Sequence, residues 1–156
     1  MAMLYTTLCY IENDDSYLML HRIKKDRDVN AGKWIGVGGK IEQGETPEDC
    51  LVREVYEETS LSLTDYSYRG IINFSSEGWE DERIYLYTAS GFFGELDTCA
   101  EGELRWVKKD QLLGLNLWEG DKIFLKLLME DAPFFTLDLS YSGDKLVKQS
   151  IKRKST

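Results

Sequence analysis

Three glutamates, Glu54, Glu57 and Glu58, are spaced three and four residues apart in a segment whose pattern predicts a helix. Residues at these spacings share one helical face, with their β-carbons about 5–6 Å apart, so the three carboxylates would be crowded together. Like charges this close repel one another and raise the pKa of each carboxyl. A hard divalent cation removes the conflict, because carboxylate oxygens are ligands that suit Mg²⁺ and Mn²⁺. The spacing therefore predicts a metal site.

The residues just before these glutamates predict the elements that would position them. Thr46 is a favourable N-cap residue, Pro47 suits the first helical turn, and the acids Glu48 and Asp49 suit its positive end. Three glycines permit tight turns in the loop before the helix: Gly38, Gly39 and Gly44. Three apolar residues are expected to form the buried stripe opposite the carboxylates: Leu51, Val52 and Val55.

The whole stretch from residue 39 to residue 61 resembles the Nudix box, the signature of the Nudix hydrolases. Eight positions match this signature in register: Gly39, Glu45, Arg53, Glu54, Val55, Glu57, Glu58 and Leu61. Ser60 stands where the family has a glycine that usually ends the helix with a positive φ, a conformation that serine adopts at modest cost. The resemblance implies an α/β (α+β) Nudix fold, in which a mixed β-sheet lies between helices.

The resemblance also implies roles for the acidic residues. It implies that Glu54, Glu57 and Glu58 bind the metal together with the carbonyl of Gly38, with Mg²⁺ as the cofactor and Mn²⁺ as the alternative. The reaction that the resemblance implies is hydrolysis of a nucleoside diphosphate linked to a further group. One carboxylate must accept the proton of the attacking water, and which one is left open. Because His21 is the only histidine, a histidine triad or a histidine-rich metal site is not available.

A later loop offers a further candidate ligand. Enzymes related to the MutT-like group also use a glutamate several residues before a strand tryptophan, and Glu101 has this position ahead of Trp106. We expect Glu101 to be a catalytic and metal-binding residue, with Glu103 as the second candidate. For either residue taken alone, a solvated loop acid is an equal alternative.

Two arginines are candidates for supporting roles. Arg53 lies four residues before Glu57, so an ion pair could hold that carboxylate, and we place Arg53 among the catalytic residues in this indirect sense. Glu45, at the junction of loop and helix, is expected to orient the loop. By resemblance, Arg22 is expected to bind a substrate phosphate. The alternatives are a structural Arg53 and a surface Arg22.

The chain flanking the box is similar to the oxidised-purine nucleoside triphosphatases of the MutT-like group. An exposed Trp118 and a helix-starting Asp121 are expected to bind the base, by stacking and by hydrogen bonding, and Gly39 to contact the substrate. The alternative is a core Trp118 with Asp121 capping a helix. Ile35 and Gly120 stand where animal relatives have an asparagine and an aspartate, so base recognition is expected to be arranged differently here.

Hydrophobic patterning predicts the elements that must hold these residues. Strands are predicted at residues 4–11, 17–22, 34–37, 66–74, 83–93, 103–108, 134–141 and 145–151. Besides the box helix, a helical turn is predicted at 110–113 and a helix at 121–129. Polar segments between them predict loops at 24–33 and 75–82 and turns at 13–16 and 142–144.

Length and composition predict a single domain over residues 1–151, followed by a tail at 152–156. Of the 156 residues, 42% are apolar and 30% are charged, which is ordinary for a globular protein. The net charge of −9 argues against nucleic-acid binding. We expect no membrane partner, because no basic leader and no 18-residue apolar span occur in this sequence. A monomer and a homodimer are both open.

Three cysteines occur, far apart and without metal-ligand spacing: Cys9, Cys50 and Cys99. Their number and spacing favour inert thiols in a reducing compartment. Together with the absence of a leader, they predict a cytoplasmic protein.

The first functional hypothesis is a magnesium-dependent nucleoside triphosphate pyrophosphohydrolase. It would convert 8-oxo-dGTP, or another oxidised purine nucleotide, to the monophosphate and pyrophosphate, and so remove damaged precursors of DNA synthesis. The second hypothesis keeps the reaction but changes the substrate to dihydroneopterin triphosphate, a dinucleotide or a capped RNA end. The third is a Nudix-like binding domain, or a calcium-binding acidic module, without catalysis.

Overall fold

The computed structural model describes residues 3–23, 30–99 and 101–153. Within these ranges the chain forms nine strands, two α-helices and one 3₁₀ segment. Their order is β1 (Leu4–Asn13), β2 (Ser16–His21), β3 (Trp34–Ile35), β4 (Val37–Lys40), α1 (Pro47–Thr59), β5 (Ser62–Ser76), β6 (Glu82–Phe93), β7 (Glu103–Lys108), the 3₁₀ segment (Lys109–Gly114), α2 (Glu119–Met129), β8 (Phe135–Ser142) and β9 (Lys145–Arg153).

The strands build one mixed sheet in the order β3-β2-β1-β6-β5-β8-β9. Strand β4 pairs with β1, and β7 pairs with β2. The pairs β1–β6 and β5–β8 are parallel, whereas the other pairs are antiparallel. The parallel pairs join strands that are distant in sequence, so residues near the start of β6 lie beside the start of β1.

Each face of the sheet has its own apolar cluster and its own helix. Tyr10 belongs to the cluster that includes Phe124 of α2, whereas its neighbours Cys9 and Ile11 belong to the cluster that includes Leu51 of α1. Because successive side chains of a strand point to opposite faces, the two helices cover opposite sides of the sheet. The predicted mixed sheet between helices is confirmed.

The ends of α1 are as the sequence predicts. Thr46 is the N-cap residue: its hydroxyl accepts a hydrogen bond from the Asp49 amide, and the Asp49 carboxylate accepts one from the Thr46 amide. This reciprocal pair satisfies two amides that a helix start leaves without a backbone partner. Ser60 ends the helix in the left-handed conformation, with φ 67°, in which its amide donates to the Tyr56 carbonyl.

The prediction that Val52 belongs to the buried stripe of α1 is wrong. Val52 is exposed, whereas Leu51 and Val55 are fully buried as predicted. Cys50 and Thr59 complete the buried face instead. Thr59 lies one turn after Val55, and Cys50 lies directly before Leu51, where its thiol contacts Thr7 of β1.

Several predicted boundaries need correction. Strand β5 covers Ser62–Ser76 and so extends beyond the strand predicted at 66–74 at both ends. The single strand predicted at 34–37 is two strands separated by Gly36, where a β-carbon would lie 2.7 Å from the Cys9 carbonyl oxygen. Helix α2 begins at Glu119 rather than at residue 121. Strand β9 continues to Arg153, so two residues expected in the tail are paired with β8. The predicted tail residues 154–156, and residues 24–29 of the predicted loop, lie outside the described residues.

The three cysteines are buried thiols, and none of them forms a disulfide. In the part of the chain that the structure describes, neither helix is long and apolar enough to cross a membrane.

Candidate metal and nucleotide site

The Gly38–Gly39 pair brings the backbone of β4 against α1 and β1. A β-carbon on Gly38 would lie 2.0 Å from the Thr7 carbonyl oxygen, so no larger residue fits there without moving the backbone. A β-carbon on Gly39 would lie 2.4 Å from Cδ of Glu54. The carboxylate of Glu54 therefore lies directly against Gly39, and the two glycines set the distance between this loop and the acidic face of α1.

Arg53 is the centre of an ion-pair network on α1. Its Nε donates to Oε2 of Glu45 at 2.6 Å and its Nη2 donates to Oε1 at 2.9 Å, which is the two-point geometry that makes arginine–carboxylate pairs strong. This contact holds the pKa of Glu45 at about 2. Nη1 donates to Glu54 at 2.7 Å and to Glu57 at 3.2 Å. The predicted Arg53–Glu57 pair is present, but Glu45 is the closer partner.

Glu54 and Glu58 are the acids of this face that the structure removes most from water. Burial raises the pKa of Glu54 above its usual value, and Arg53 opposes the rise. Burial raises the pKa of Glu58 to about 8, and the nearby charges of Glu101 and Glu54 add to this effect. A neighbouring Arg22 and a hydrogen bond from the Gly38 amide lower it.

Glu101 reaches this cluster from the loop before β7. Its Oε2 accepts a hydrogen bond from Nη1 of Arg22 at 3.1 Å. Gly102 permits the approach, since a β-carbon there would lie 1.9 Å from the His21 carbonyl oxygen. The second candidate, Glu103, pairs with Arg105 on the same strand. The structure therefore brings Glu101 and Arg22 to the acidic face of α1.

Glu57 lies apart from the other box glutamates. Its side chain is 56% exposed, against 17% for Glu54, and it contacts Arg53. Within the described ranges, no three Asp, Glu, His or Cys side chains already surround one point as metal ligands would.

The residues nevertheless fit a hard cation. Oε2 of Glu58 is buried and has no hydrogen-bond partner in the described structure, although buried carboxylate oxygens normally have one. This oxygen is close to the charges of two further carboxylates, those of Glu54 and Glu101. A divalent cation with oxygen ligands would satisfy the orphaned oxygen and neutralise the repulsion.

Trp118 lies on the other face of the sheet, at the N-cap of α2, and it is less accessible than expected. It is half-buried, its Nε1 donates to Oδ1 of Asn30 at 2.7 Å, and its ring packs edge-on against Tyr141. Nζ of Lys33 lies 5.0 Å from the ring centroid. The expectation of an exposed tryptophan is therefore wrong: one ring face already contacts a cation.

Asp121 lies in the first turn of α2 and does not cap it, because the helix begins two residues earlier. Burial raises the pKa of Asp121 to about 7. Lys33 lowers this pKa and Glu82 raises it, so both charged groups are near Asp121. The charge of Asp121 also contributes to raising the pKa of Tyr10, which burial raises most, and the ring of Tyr10 packs against Gly36. Gly36 is two residues from Gly38, so one short segment runs between the two groups of acids.

Sequence reasoning missed Lys33, Asn30 and Glu82 at this second group. The sequence pattern places Lys33 and Asn30 in a polar loop and Glu82 at the end of another loop. No spacing links them to Trp118 or Asp121, since Asn30 and Trp118 are 88 positions apart. The one available signal is that residue 82 is an acid directly before the strand predicted at 83–93.

Comparison with known proteins agrees with the box. The model of the NUDIX domain family matches residues 4–128. The chain is 32% identical over 111 residues to the mouse (Mus musculus) oxidized purine nucleoside triphosphate hydrolase, covering 70% of this chain and 71% of that protein. It is 30% identical over 118 residues to the nucleoside triphosphatase NudI of Salmonella agona, covering 69% and 84%.

Among solved structures, the fold is similar to that of a MutT protein from Bacillus halodurans. The TM-score is 0.84 and the sequence identity is 28%, and the match covers 95% of this chain and 97% of that one. The similarity therefore includes the strands and helices on both faces of the sheet, not the box alone.

Proposed function

This chain belongs to the NUDIX domain family, and from that premise we propose that it is a magnesium-dependent pyrophosphohydrolase of oxidised purine nucleoside triphosphates, 8-oxo-dGTP above all. The reaction would yield the nucleoside monophosphate and pyrophosphate. The named activities of the mouse and Salmonella relatives support a nucleoside triphosphate as substrate.

The observation that carries this proposal is the buried, unpartnered oxygen of Glu58 beside two further carboxylates. Glu54, Glu57, Glu58 and Glu101 would hold the magnesium, with the Gly38 carbonyl. When bound, the metal supplies positive charge to the phosphate oxygens and so stabilises the charge that develops as the phosphoanhydride bond breaks.

The acids and arginines of the site would act on water and phosphate. Water adds to phosphorus, the bond to the pyrophosphate oxygen breaks, and one carboxylate of the cluster accepts the proton that the water loses. Arg22, 14% exposed and paired with Glu101, is placed to share its charge with a substrate phosphate. Arg53 has a positioning role, because it fixes Glu54 and links that carboxylate to Glu45.

The base would bind on the opposite side of the sheet, with the phosphates directed past Gly39. Trp118 offers an aromatic ring, held in place by Asn30 and Lys33. Asp121 offers a carboxyl group whose pKa of about 7 lets it donate or accept a hydrogen bond near neutral pH. Such a group suits a purine edge that carries both donors and acceptors.

The decisive experiment compares kcat/KM for 8-oxo-dGTP, dGTP and dihydroneopterin triphosphate in a pyrophosphate-release assay with Mg²⁺. We expect 8-oxo-dGTP to be preferred by about 10-fold or more, the discrimination that one or two base contacts provide. A ratio near one between 8-oxo-dGTP and dGTP would contradict the sanitising role. The catalytic assignment fails if Glu57→Gln has the activity of Glu77→Gln, a change of an exposed acid outside the box, in the segment between β5 and β6.

A further inference from the structure

A second acid lies beside Asp121 on the α2 face of the sheet. Glu82, the first residue of β6, is opposite Phe74 in the β5–β6 register and beside Leu4 in the β1–β6 register. Phe74 packs in the α2-side cluster, so Glu82 is on the same face as α2. Its Oε2 accepts a hydrogen bond from Oγ1 of Thr6 at 2.6 Å.

The charge of Glu82 acts on Asp121. Glu82 is a cause of the raised pKa of Asp121, whereas Lys33 acts in the opposite direction. Burial raises the pKa of Glu82 itself, and its hydrogen bond with Thr6 opposes the rise. Geometry agrees: Phe74, opposite Glu82, packs against Tyr141, whose hydroxyl accepts a hydrogen bond from the amide of Gly120, the residue before Asp121. The two half-buried carboxyl groups therefore lie on the same side of the sheet, on either side of this aromatic contact.

Position 120 of α2, directly before Asp121, cannot supply this second acid. A β-carbon on Gly120 would lie 2.5 Å from Cδ1 of Leu139 and 2.8 Å from the hydroxyl of Tyr141. The Gly120 amide donates to that hydroxyl at 2.7 Å, which fixes the first turn of α2 against β8. Any side chain at position 120 would break this contact.

The surroundings of the acid pair are suited to a flat heterocycle. The ring of Tyr141 packs against Trp118 on one side and Phe74 on the other, with centroids 5.5 and 5.1 Å away. Ser76, two residues beyond Phe74 on the same face and opposite Tyr141, has a buried hydroxyl without a partner in the described structure. Aromatic rings and unsatisfied polar atoms thus occur together beside the carboxyl groups.

We propose that Glu82 is a specificity-determining residue of the base subsite, where it and Asp121 together select a guanine-type purine, with adjacent ring N–H and amino donors. This inference rests on the proposed function, which places the base on this face. In their ionised form both carboxyl groups only accept hydrogen bonds, so two neighbouring carboxylates match two neighbouring donors. An adenine-type base has an amino donor beside a ring acceptor, and leaves one carboxylate without a donor.

The test is the ratio of kcat/KM for dGTP to that for dATP in Glu82→Gln. The amide has nearly the same size as the carboxylate but turns an N–H toward the donor edge of guanine. We expect the ratio to fall about 10-fold or more, mainly through KM. The matched control is Glu80→Gln, an exposed acid of the same loop, which should leave the ratio unchanged. An unchanged ratio in a folded Glu82→Gln protein overturns the inference.

Two further measurements keep the result unambiguous. If Glu82→Gln does not fold, Thr6→Val takes its place, because it removes the hydrogen bond to Glu82 and keeps the side-chain volume. This variant should lower the same ratio of kcat/KM, and an unchanged ratio counts against the inference.

If the native protein hydrolyses no triphosphate, the proposed function fails. The inference is then decided by calorimetric binding of dGMP and dAMP: it stands if Glu82→Gln loses a preference for dGMP, and fails if the native protein has none.

Discussion

The protein's own cations neutralise the acids on the α1 face much more than the acids on the α2 face. On the α1 face, Arg53 forks onto Glu45 and also contacts Glu54, and Arg22 pairs with Glu101. On the α2 face, Lys33 is the cation that lowers the pKa of Asp121, and Glu82 accepts its hydrogen bond from the uncharged Thr6.

In each group one carboxyl is left with a strongly raised pKa: about 8 for Glu58 and about 7 for Asp121. These are the positions at which a ligand has most to contribute. A cation suits Glu58, because several carboxylates adjoin it. A hydrogen-bonding base suits Asp121, since a half-titrated carboxyl can donate or accept. The difference between the faces is thus a difference between charge neutralisation and hydrogen-bond recognition.

The largest effect on activity should come from replacing Glu58, the acid of the α1 face with the strongly raised pKa. Glu58→Gln keeps the shape of the side chain but removes a negative charge that a metal requires. We expect kcat to fall about 1,000-fold or more. Thermal unfolding should be followed with and without Mg²⁺, because the native protein should be stabilised by the metal and the variant should not.

Asp121→Asn is the matched change on the other face. It should alter KM for the base more than kcat. A fall in kcat for Asp121→Asn as large as that for Glu58→Gln would remove the distinction between the two faces.

The next effect concerns how rigidly the α1 acids are held. Arg53→Lys keeps the charge but cannot make the two-point contact with Glu45 while reaching Glu54. We expect kcat/KM to fall about 10- to 100-fold, because a carboxylate of the metal site loses its orientation. Steady-state kinetics at saturating Mg²⁺ measure this.

The control for that variant is Arg105→Lys, in which the arginine is 61% exposed and pairs with Glu103. Exposed pairs of this kind contribute about 0–1 kcal/mol, so activity should stay near that of the native protein. Equal losses of kcat/KM in the two variants would show that any arginine-to-lysine change lowers activity, and that the two-point contact of Arg53 is not the cause.

The pH dependence of stability should separate the two faces further. The pKa of Asp121 rises from 3.8 to about 7 on folding, so the folded state binds its proton more tightly than the unfolded state. The contribution of this group to stability is then complete below pH 3.8 and falls as the pH rises to about 7. Each pKa unit corresponds to about 1.4 kcal/mol, and partial exposure reduces the effect.

Asp121→Asn should remove this dependence. At pH 8 we expect the variant to be more stable than the native protein by about 1–2 kcal/mol, with little difference near pH 4. Urea unfolding at both pH values measures the change. The opposite result would be a variant that is less stable than the native protein at pH 8 and closer to it at pH 4. That result would show that Asp121 is held as an ion and not as an acid with a raised pKa.

The two faces also differ in how much of them the sequence predicts. The α1 face is built from consecutive residues, so local rules suffice: Thr46 caps the helix, and Ser60 ends it in the left-handed conformation, both as predicted. The prediction for Val52 fails because the buried stripe consists of the residues on the side of α1 that faces the sheet, whatever their polarity: apolar Val52 is exposed and polar Thr59 is buried.

The α2 face depends on contacts between distant residues. Thr6 and Glu82 are 76 positions apart and meet only because β1 and β6 are parallel neighbours, which no local pattern encodes. Trp118 was identified by its residue type and its flanks, but its contacts with Asn30 and Lys33 depend on how a loop crosses the end of the sheet. Composition can nominate such residues, and only the fold can bring them together.

The smallest effect should come from Ser60, which shapes the α1 face without touching its acids. Serine at φ 67° is in a region that favours glycine, and a β-carbon there costs roughly 1 kcal/mol. Ser60→Gly relieves that strain but also increases the freedom of the unfolded chain, so the net gain in stability should be only about 0.5 kcal/mol. Thermal unfolding measures this gain, and kcat should be unchanged because the first turns of α1, with Arg53 and Glu54, stay capped by Thr46. If kcat changed while stability did not, the end of α1 would be part of the catalytic geometry, and the division between a rigid acidic face and a recognition face would have to include the loop that follows Ser60.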